Sequence, residues 1–177
     1  MKTRIIVICA LAAMFMVGCA KKNTTVSANA TGDSNKVQFN RFYDEVFGKH
    51  NLAAIDELVS PNIINHATPP GWPAGTAGVK KWFGMLFTAI PDYKETSDEM
   101  IADGDKVWTR WTATGTWKED LMGMKATGKP FTATGVGIVR FENGKAVEHW
   151  GWDNLMQALM PPHEMAGGAP PPPPAKK

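Results

Sequence analysis

The chain of 177 residues has only two cysteines, Cys9 and Cys19, and both lie at its very beginning. Residues 36–160 hold no thiol, so disulfides, zinc–thiolate sites and cysteine nucleophiles are excluded from that stretch. Histidine is scarce too: four are scattered without metal-ligand spacing, and no metal site is expected. His163-Glu164 has no second histidine four residues on, so it makes no zincin helix. Gly135-Val136-Gly137 lacks the third glycine and the strand-to-helix setting of a dinucleotide loop, and no serine sits in a nucleophile elbow. The expected cofactor set is therefore empty. Charge excess is also missing. The formal net charge is +2, and loss of Lys2 and Arg4 with an N-terminal signal takes it to about zero. That leaves no basic field to attract nucleic acid.

Long apolar runs are confined to one place. Lys2 and Arg4 precede the apolar stretch Ile5 to Val17, which is too short to span a bilayer comfortably and reads as a removable targeting segment, residues 1–18. It ends in Met16-Val17-Gly18-Cys19, which resembles the lipobox of bacterial lipoproteins, with Met16 in place of the commoner leucine. The resemblance implies cleavage before Cys19, diacylglycerol on its thiol and an acylated amine, hence a membrane anchor. Each buried CH2 contributes ~0.8 kcal/mol, so several chains hold firmly. An ordinary secretory signal with a chance cysteine is the alternative. Ala20 stands where those lipoproteins favour Asp for inner-membrane retention, which points to the periplasmic face of the outer membrane. Residues 19–35, the lipidated cysteine and a small polar run, read as a flexible tether. Residues 161–177 end in Pro170 to Pro174 and read as an extended, disordered tail.

Residues 36–160 suit one domain with one core. Val37, Phe39, Phe42, Tyr43, Val46 and Phe47 recur at helical steps until Gly48. Asn51 can cap a short second helix carrying Leu52, Ile55, Leu58 and Val59, which Pro61 stops. Asn62 to His66 reads as a short extended segment before a Pro/Gly-rich loop, and a third helix follows from about Thr76 to Ala89. From Tyr93 the period changes to two. Tyr93–Ala102 and Lys106–Trp117 read as strands joined at Asp103-Gly104-Asp105; Lys118–Lys129 is a loop. Pro130–Phe141 and Lys145–Asp153 form a last hairpin turning at Asn143-Gly144, and Leu155 to Met160 makes a short terminal helix. Helices followed by an antiparallel meander mean α+β, a curved sheet wrapped around the helices with a pocket at one open end.

On the last strand Glu148, Trp150 and Trp152 share one face, and Val147, His149, Gly151 and Asp153 the other. If the second face lines a cavity, His149 and Asp153 are its candidate acid–base groups. Glu148 belongs to the opposite face, where pairing with Arg110 or Arg140 would be structural. The chain has seven tryptophans. Trp108 and Trp111 point to opposite faces of one strand, and Trp150 with Trp152 would form an aromatic patch on the outer face, a mark of an interface. Trp72 is either a lid over the pocket or a loop anchor.

In order and spacing these pieces resemble the SnoaL-like polyketide cyclases, also labelled ester cyclases, of the nuclear-transport-factor-like cone fold. Phe39 and Tyr43 on the first helix, Ile64-Asn65-His66, Gly78-Val79-Lys80, Ile90-Pro91-Asp92, Ile101 to Val107, Gly115-Thr116, Thr127 to Pro130 and the terminal hairpin carry it. The resemblance implies the cone fold, sheet-to-sheet homodimers, and a carboxylate assisted by a histidine that removes a proton beside a carbonyl. At those two positions this chain has Gly151 and Gly137. Neither can move a proton, so the cyclase chemistry is expected to be lost. The expected function is a lipid-anchored envelope protein that binds a small apolar or aromatic molecule. Trp72, Trp82, Trp111, Met122 and Phe131 are its expected lining. An enzyme of the cyclase, isomerase or hydrolase type, using Asp153 with His66 or His149, is the second reading. A scaffold that binds envelope proteins through the tryptophan face and proline tail is the third.

Overall fold

A computed structural model describes residues 24–160; the signal segment, Cys19 and the proline-rich tail lie outside the described residues. In chain order the elements are α1 (Thr24–Phe42), a π-helical turn (Tyr43–Gly48), α2 (Ala54–Leu58), β1 (Val59–Asn65), α3 (Gly75–Ala89), β2 (Lys94–Asp103), β3 (Lys106–Thr116), β4 (Pro130–Glu142), β5 (Lys145–Asp153) and α4 (Leu155–Leu159). The five strands form one curved, unclosed sheet in the order β1-β5-β4-β3-β2. The architecture is α+β.

Turn chemistry places the hairpins. Asn143 and Gly144 have φ of 50° and 75°, the paired positive values that a two-residue turn between Glu142 and Lys145 requires. Gly104, at φ 58°, does the same between β2 and β3. Period-two alternation then sends Val107, Thr109, Trp111 and Ala113 of β3 inward. Aromatic contacts tie α1, the π-helical turn and α3 together, Phe39 on Tyr43 at 5.3 Å and Phe83 on Phe47 at 5.3 Å and on Phe42 at 5.9 Å, and Phe39 meets Phe141 of β4 on the concave face at 6.1 Å. Val46, Ile55 and Ile90 are fully buried, each contributing about 1.5–3 kcal/mol.

Three features depart from the sequence expectation. β1 pairs with β5 in parallel, so the sheet is mixed and not a pure antiparallel meander. Residues 66–144 separate the two strands, and no tight turn dictates their relative direction. Pro61 therefore lies inside β1, on the sheet edge, where a missing N–H is tolerated. Secondly, α1 runs back to Thr24, into the stretch read as a tether. Tertiary contacts account for this where composition did not: Gly32 lies against Ala102, and buried Asn35 donates to the Gly104 carbonyl. Thirdly, a bulge between the pairs Arg140–Glu148 and Phe141–Ala146 makes Val147 the extra residue and puts Ala146 on the concave face.

The convex face is more apolar than a solvated sheet face needs to be. Ile101, Trp108, Ile138 and Trp150 form one cross-strand row, and Val136 pairs with Trp152 beside it. Trp108 is 48% and Trp152 59% exposed.

Candidate functional site

Between the concave sheet face, α1 and α3 lies a cavity of about 410 Å3. That falls within the ~300–1,000 Å3 typical of small-molecule sites. Phe42, Phe83 and Val79 supply helical wall, and the sheet contributes Thr109, Trp111, Gly137, His149 and Gly151.

Of the residues singled out from sequence, Asp153, His149, Trp72, Trp82, Trp111 and Met122 line this cavity. His66 and Phe131 do not. His66 stacks on Trp150 with centroids 4.9 Å apart, and its Nε2 lies 2.8 Å from Glu148 Oε1 on the convex side. Strand alternation explains this: β1 ends at Asn65, so Asn65 faces the cavity and its neighbour turns away. Phe131 is buried beside Gly115 and Tyr93, bordering a smaller hollow under α4. Glu148 also accepts from Arg140 at 2.9 Å, the structural pairing expected of it, and Arg110 instead bonds Asp98. His66 and Arg140 together hold the Glu148 carboxyl below the usual range. Trp72 donates to the Gly78 carbonyl at 3.2 Å, with Lys81 over its ring, so it both anchors its loop and walls the cavity.

Gly137 on β4 and Gly151 on β5, the two glycines that the resemblance sets at proton-transfer positions, are direct cross-strand partners. A Cβ at Gly151 would come 3.0 Å from His149 Cε1, so the imidazole occupies the space a side chain there would need. Asp153 keeps an exposed carboxylate at the rim, and its Oδ1 accepts the Leu155 N–H at the start of α4.

The sequence reading missed Glu95. It lies on β2 and lines the cavity, enclosed by protein with its remaining surface on the hollow. Tyr93 donates its hydroxyl to Glu95 Oε2 at 2.6 Å, and Tyr43 lies within reach of the same carboxyl. These are the chain's two tyrosines. Thr109 joins the cluster, 3.5 Å from the Tyr43 hydroxyl and 2.9 Å from Ser97. Burial pushes the Glu95 carboxyl up to about 7, and the negative charge of Asp153 acts in the same direction. Burial also holds the His149 imidazole down to about 4. Tyr93-x-Glu95-x-Ser97 was the available signal, three polar side chains on one strand face beginning with an aromatic. The cavity therefore holds a carboxyl near its titration point and a neutral imidazole, both able to exchange hydrogen bonds with a ligand. Among the described residues no group of His, Asp and Glu could hold a metal ion.

The comparisons agree with this geometry. Residues 37–160 match the family described as SnoaL-like polyketide cyclase. IdmH from Streptomyces antibioticus is 28% identical, with 71% of this chain and 95% of that one covered at a TM-score of 0.61. AclR from Streptomyces galilaeus is 26% identical, covering 78% and 99% at 0.64. A SnoaL-like polyketide cyclase from Agrobacterium tumefaciens shares the fold at 16% identity, covering 75% and 98% at 0.60. No curated protein matches the sequence. With the cone-like sheet, the cavity and a family match over residues 37–160, the chain belongs to the SnoaL-like polyketide cyclase family.

Proposed function

We propose that the protein is anchored to the cell envelope through Cys19 and binds a small apolar or aromatic molecule, the family's cyclase chemistry having been lost. One observation carries the reading: Gly137 and Gly151 lie side by side on the sheet wall of the cavity, where the resemblance sets the family's proton-transfer pair. An apolar hollow with few polar groups holds a ligand by burial at roughly 25 cal/mol per Å2 and orients it through those groups. Native mass spectrometry of protein extracted from membranes in mild detergent should reveal a co-purified molecule. Cys19→Ser should move the protein out of the membrane fraction. An empty cavity in extracts, or a variant that stays membrane-bound, would count against the corresponding half of the reading.

Asp153, His149 and Glu95 on one cavity favour a second reading, an acid–base enzyme of the cyclase, isomerase or hydrolase type. In that reading His149 and Glu95 supply the base and the acid, with Asp153 at the mouth. His66, paired to Glu148 outside the wall, would act only on the surroundings.

We also propose that the convex face forms a homodimer. Trp108, Val136 and Trp152 expose large apolar surface together, a pattern typical of interfaces. Trp152→Glu is expected to convert a dimer into a monomer in sedimentation velocity; a natural protein that sediments as a monomer sinks the idea.

A further inference from the structure

At the β1–β5 end of the cavity, a chain of hydrogen bonds fixes where one proton sits. The backbone N–H of Ala67 can only donate, and it lies 3.0 Å from Asn65 Oδ1. That contact identifies the oxygen end of the Asn65 amide. The same oxygen is 2.9 Å from His149 Nδ1. Nδ1 must then carry the hydrogen and donate it, and a neutral ring in that tautomer presents Nε2 as a bare lone pair. Burial keeps the ring neutral above about pH 4.

Nε2 has no hydrogen-bond partner among the described residues. It stands over the two glycines, 3.3 Å from the place of a Cβ on Gly151 and 3.8 Å from one on Gly137. Their missing side chains leave the lone pair open to the hollow. Among the described residues no fully buried side-chain nitrogen or oxygen lacks a partner, so this lone pair opens on the hollow, where water or a ligand can donate to it.

The walls restrict what that ligand can be. The cavity lining contains two acids, Glu95 and Asp153, and neither lysine nor arginine. An anion entering would meet negative charge and nothing to offset it. The remaining surface is largely apolar, and its Phe, Tyr and Trp rings suit the packing of a flat ring.

We propose that the cavity selects an uncharged aromatic molecule bearing one hydroxyl or N–H, which donates its hydrogen to His149 Nε2. This rests on the reading of the cavity as a small-molecule site. In this arrangement Asn65 is a positioning residue: it holds the tautomer and does not touch the ligand. Gly151 is a specificity residue by absence, because any side chain there presses on the imidazole.

Equilibrium dialysis of the full-length protein in detergent at pH 7, with naphthalene, β-naphthol and β-naphthoate as probes, tests this. β-Naphthol should bind about three- to tenfold more tightly than naphthalene, the range of one net neutral hydrogen bond. β-Naphthoate should bind most weakly. His149→Phe should keep naphthalene binding and lose the preference for the hydroxyl. Asn65→Ala leaves the ring in place but releases its tautomer, so the preference should shrink there too. Nitrogen NMR of the natural protein gives an independent reading, and the His149 ring should carry its hydrogen on Nδ1. Equal binding of naphthalene and β-naphthol, a preference that survives in His149→Phe, or an Nε2–H ring each overturns the proposal while leaving an apolar binding site standing. Failure of all three probes to bind overturns the small-molecule reading itself.

Discussion

Replacing Glu95 with glutamine is expected to stabilise the protein at pH 8 by about 2–3 kcal/mol and to change little near pH 4. Burial raises the folded-state pKa of this carboxyl from 4.5 to about 7. Below 4.5 the group is protonated in both folded and unfolded chains, and it contributes no difference. Between 4.5 and 7 the folded protein binds the proton more tightly, so stability falls as pH rises. Above 7 the full penalty is present, because burial strips water from the carboxylate and Asp153 repels it, while the Tyr93 and Tyr43 hydroxyls offset only part of that and no cation lines the cavity. Glutamine keeps an oxygen for the Tyr93 hydroxyl and never ionises. For a domain of this size the gain corresponds to a melting temperature higher by on the order of 10 °C. Thermal melts of both proteins at pH 4, 6 and 8 check it. A natural protein that gains stability relative to the variant between pH 5 and 8 would contradict the enclosed, uncompensated carboxyl. The penalty also suggests a use: a charge kept at such cost is one that a bound molecule can exploit.

Two glycines on α3 should answer the same substitution with opposite signs. A Cβ on Gly78 would sit 2.0 Å from the Pro73 carbonyl oxygen and 3.2 Å from the Trp72 ring. The neighbour is backbone, so the 67–74 loop must move. Gly78→Ala should destabilise by about 2–3 kcal/mol and lower the melting temperature by roughly 6–12 °C. It should also weaken ligand retention, since Trp72 is tied to the Gly78 carbonyl and walls the cavity. Gly84, two turns on, has only Leu52 Cδ1 within reach, at an ordinary 3.6 Å. Gly84→Ala should therefore stabilise by about 0.5–1 kcal/mol through lower backbone entropy in the unfolded chain. Urea titrations of the pair give both signs in one experiment. Equal effects at the two sites would show that helix propensity, and not the loop contact, governs position 78.

The α+β architecture was legible because its signals are local. Phe39, Phe42, Val46 and Phe47 repeat at a helix period within a single turn or two. Asn143-Gly144 demands positive φ, and the final hairpin follows from it. On β5 the same local rule put His149, Gly151 and Asp153 on one face, and that face lines the cavity. The bulge at Val147 escaped it, since a bulge depends on how the partner strand is aligned.

Glu95 shows where such reading stops. β2 is so polar, Lys94-Glu95-Thr96-Ser97-Asp98-Glu99, that no hydrophobic contrast tells which face is inside. Its pairing with β3 decides: Glu95 is set opposite buried Ala113, and the inward face of β3 turns it to the cavity. His66 fell the other way for a related reason. It directly follows Asn65, and only the parallel docking of β1 on β5 settles which of the two faces inward. Periodicity is a property of a few consecutive residues, and with the turn residues it identified the elements and the hairpins; the glycine pair came from the family resemblance. Register, strand direction and enclosure are properties of segments distant in the chain, and they alone brought Glu95 and both tyrosines to the cavity and left His149 with an open lone pair.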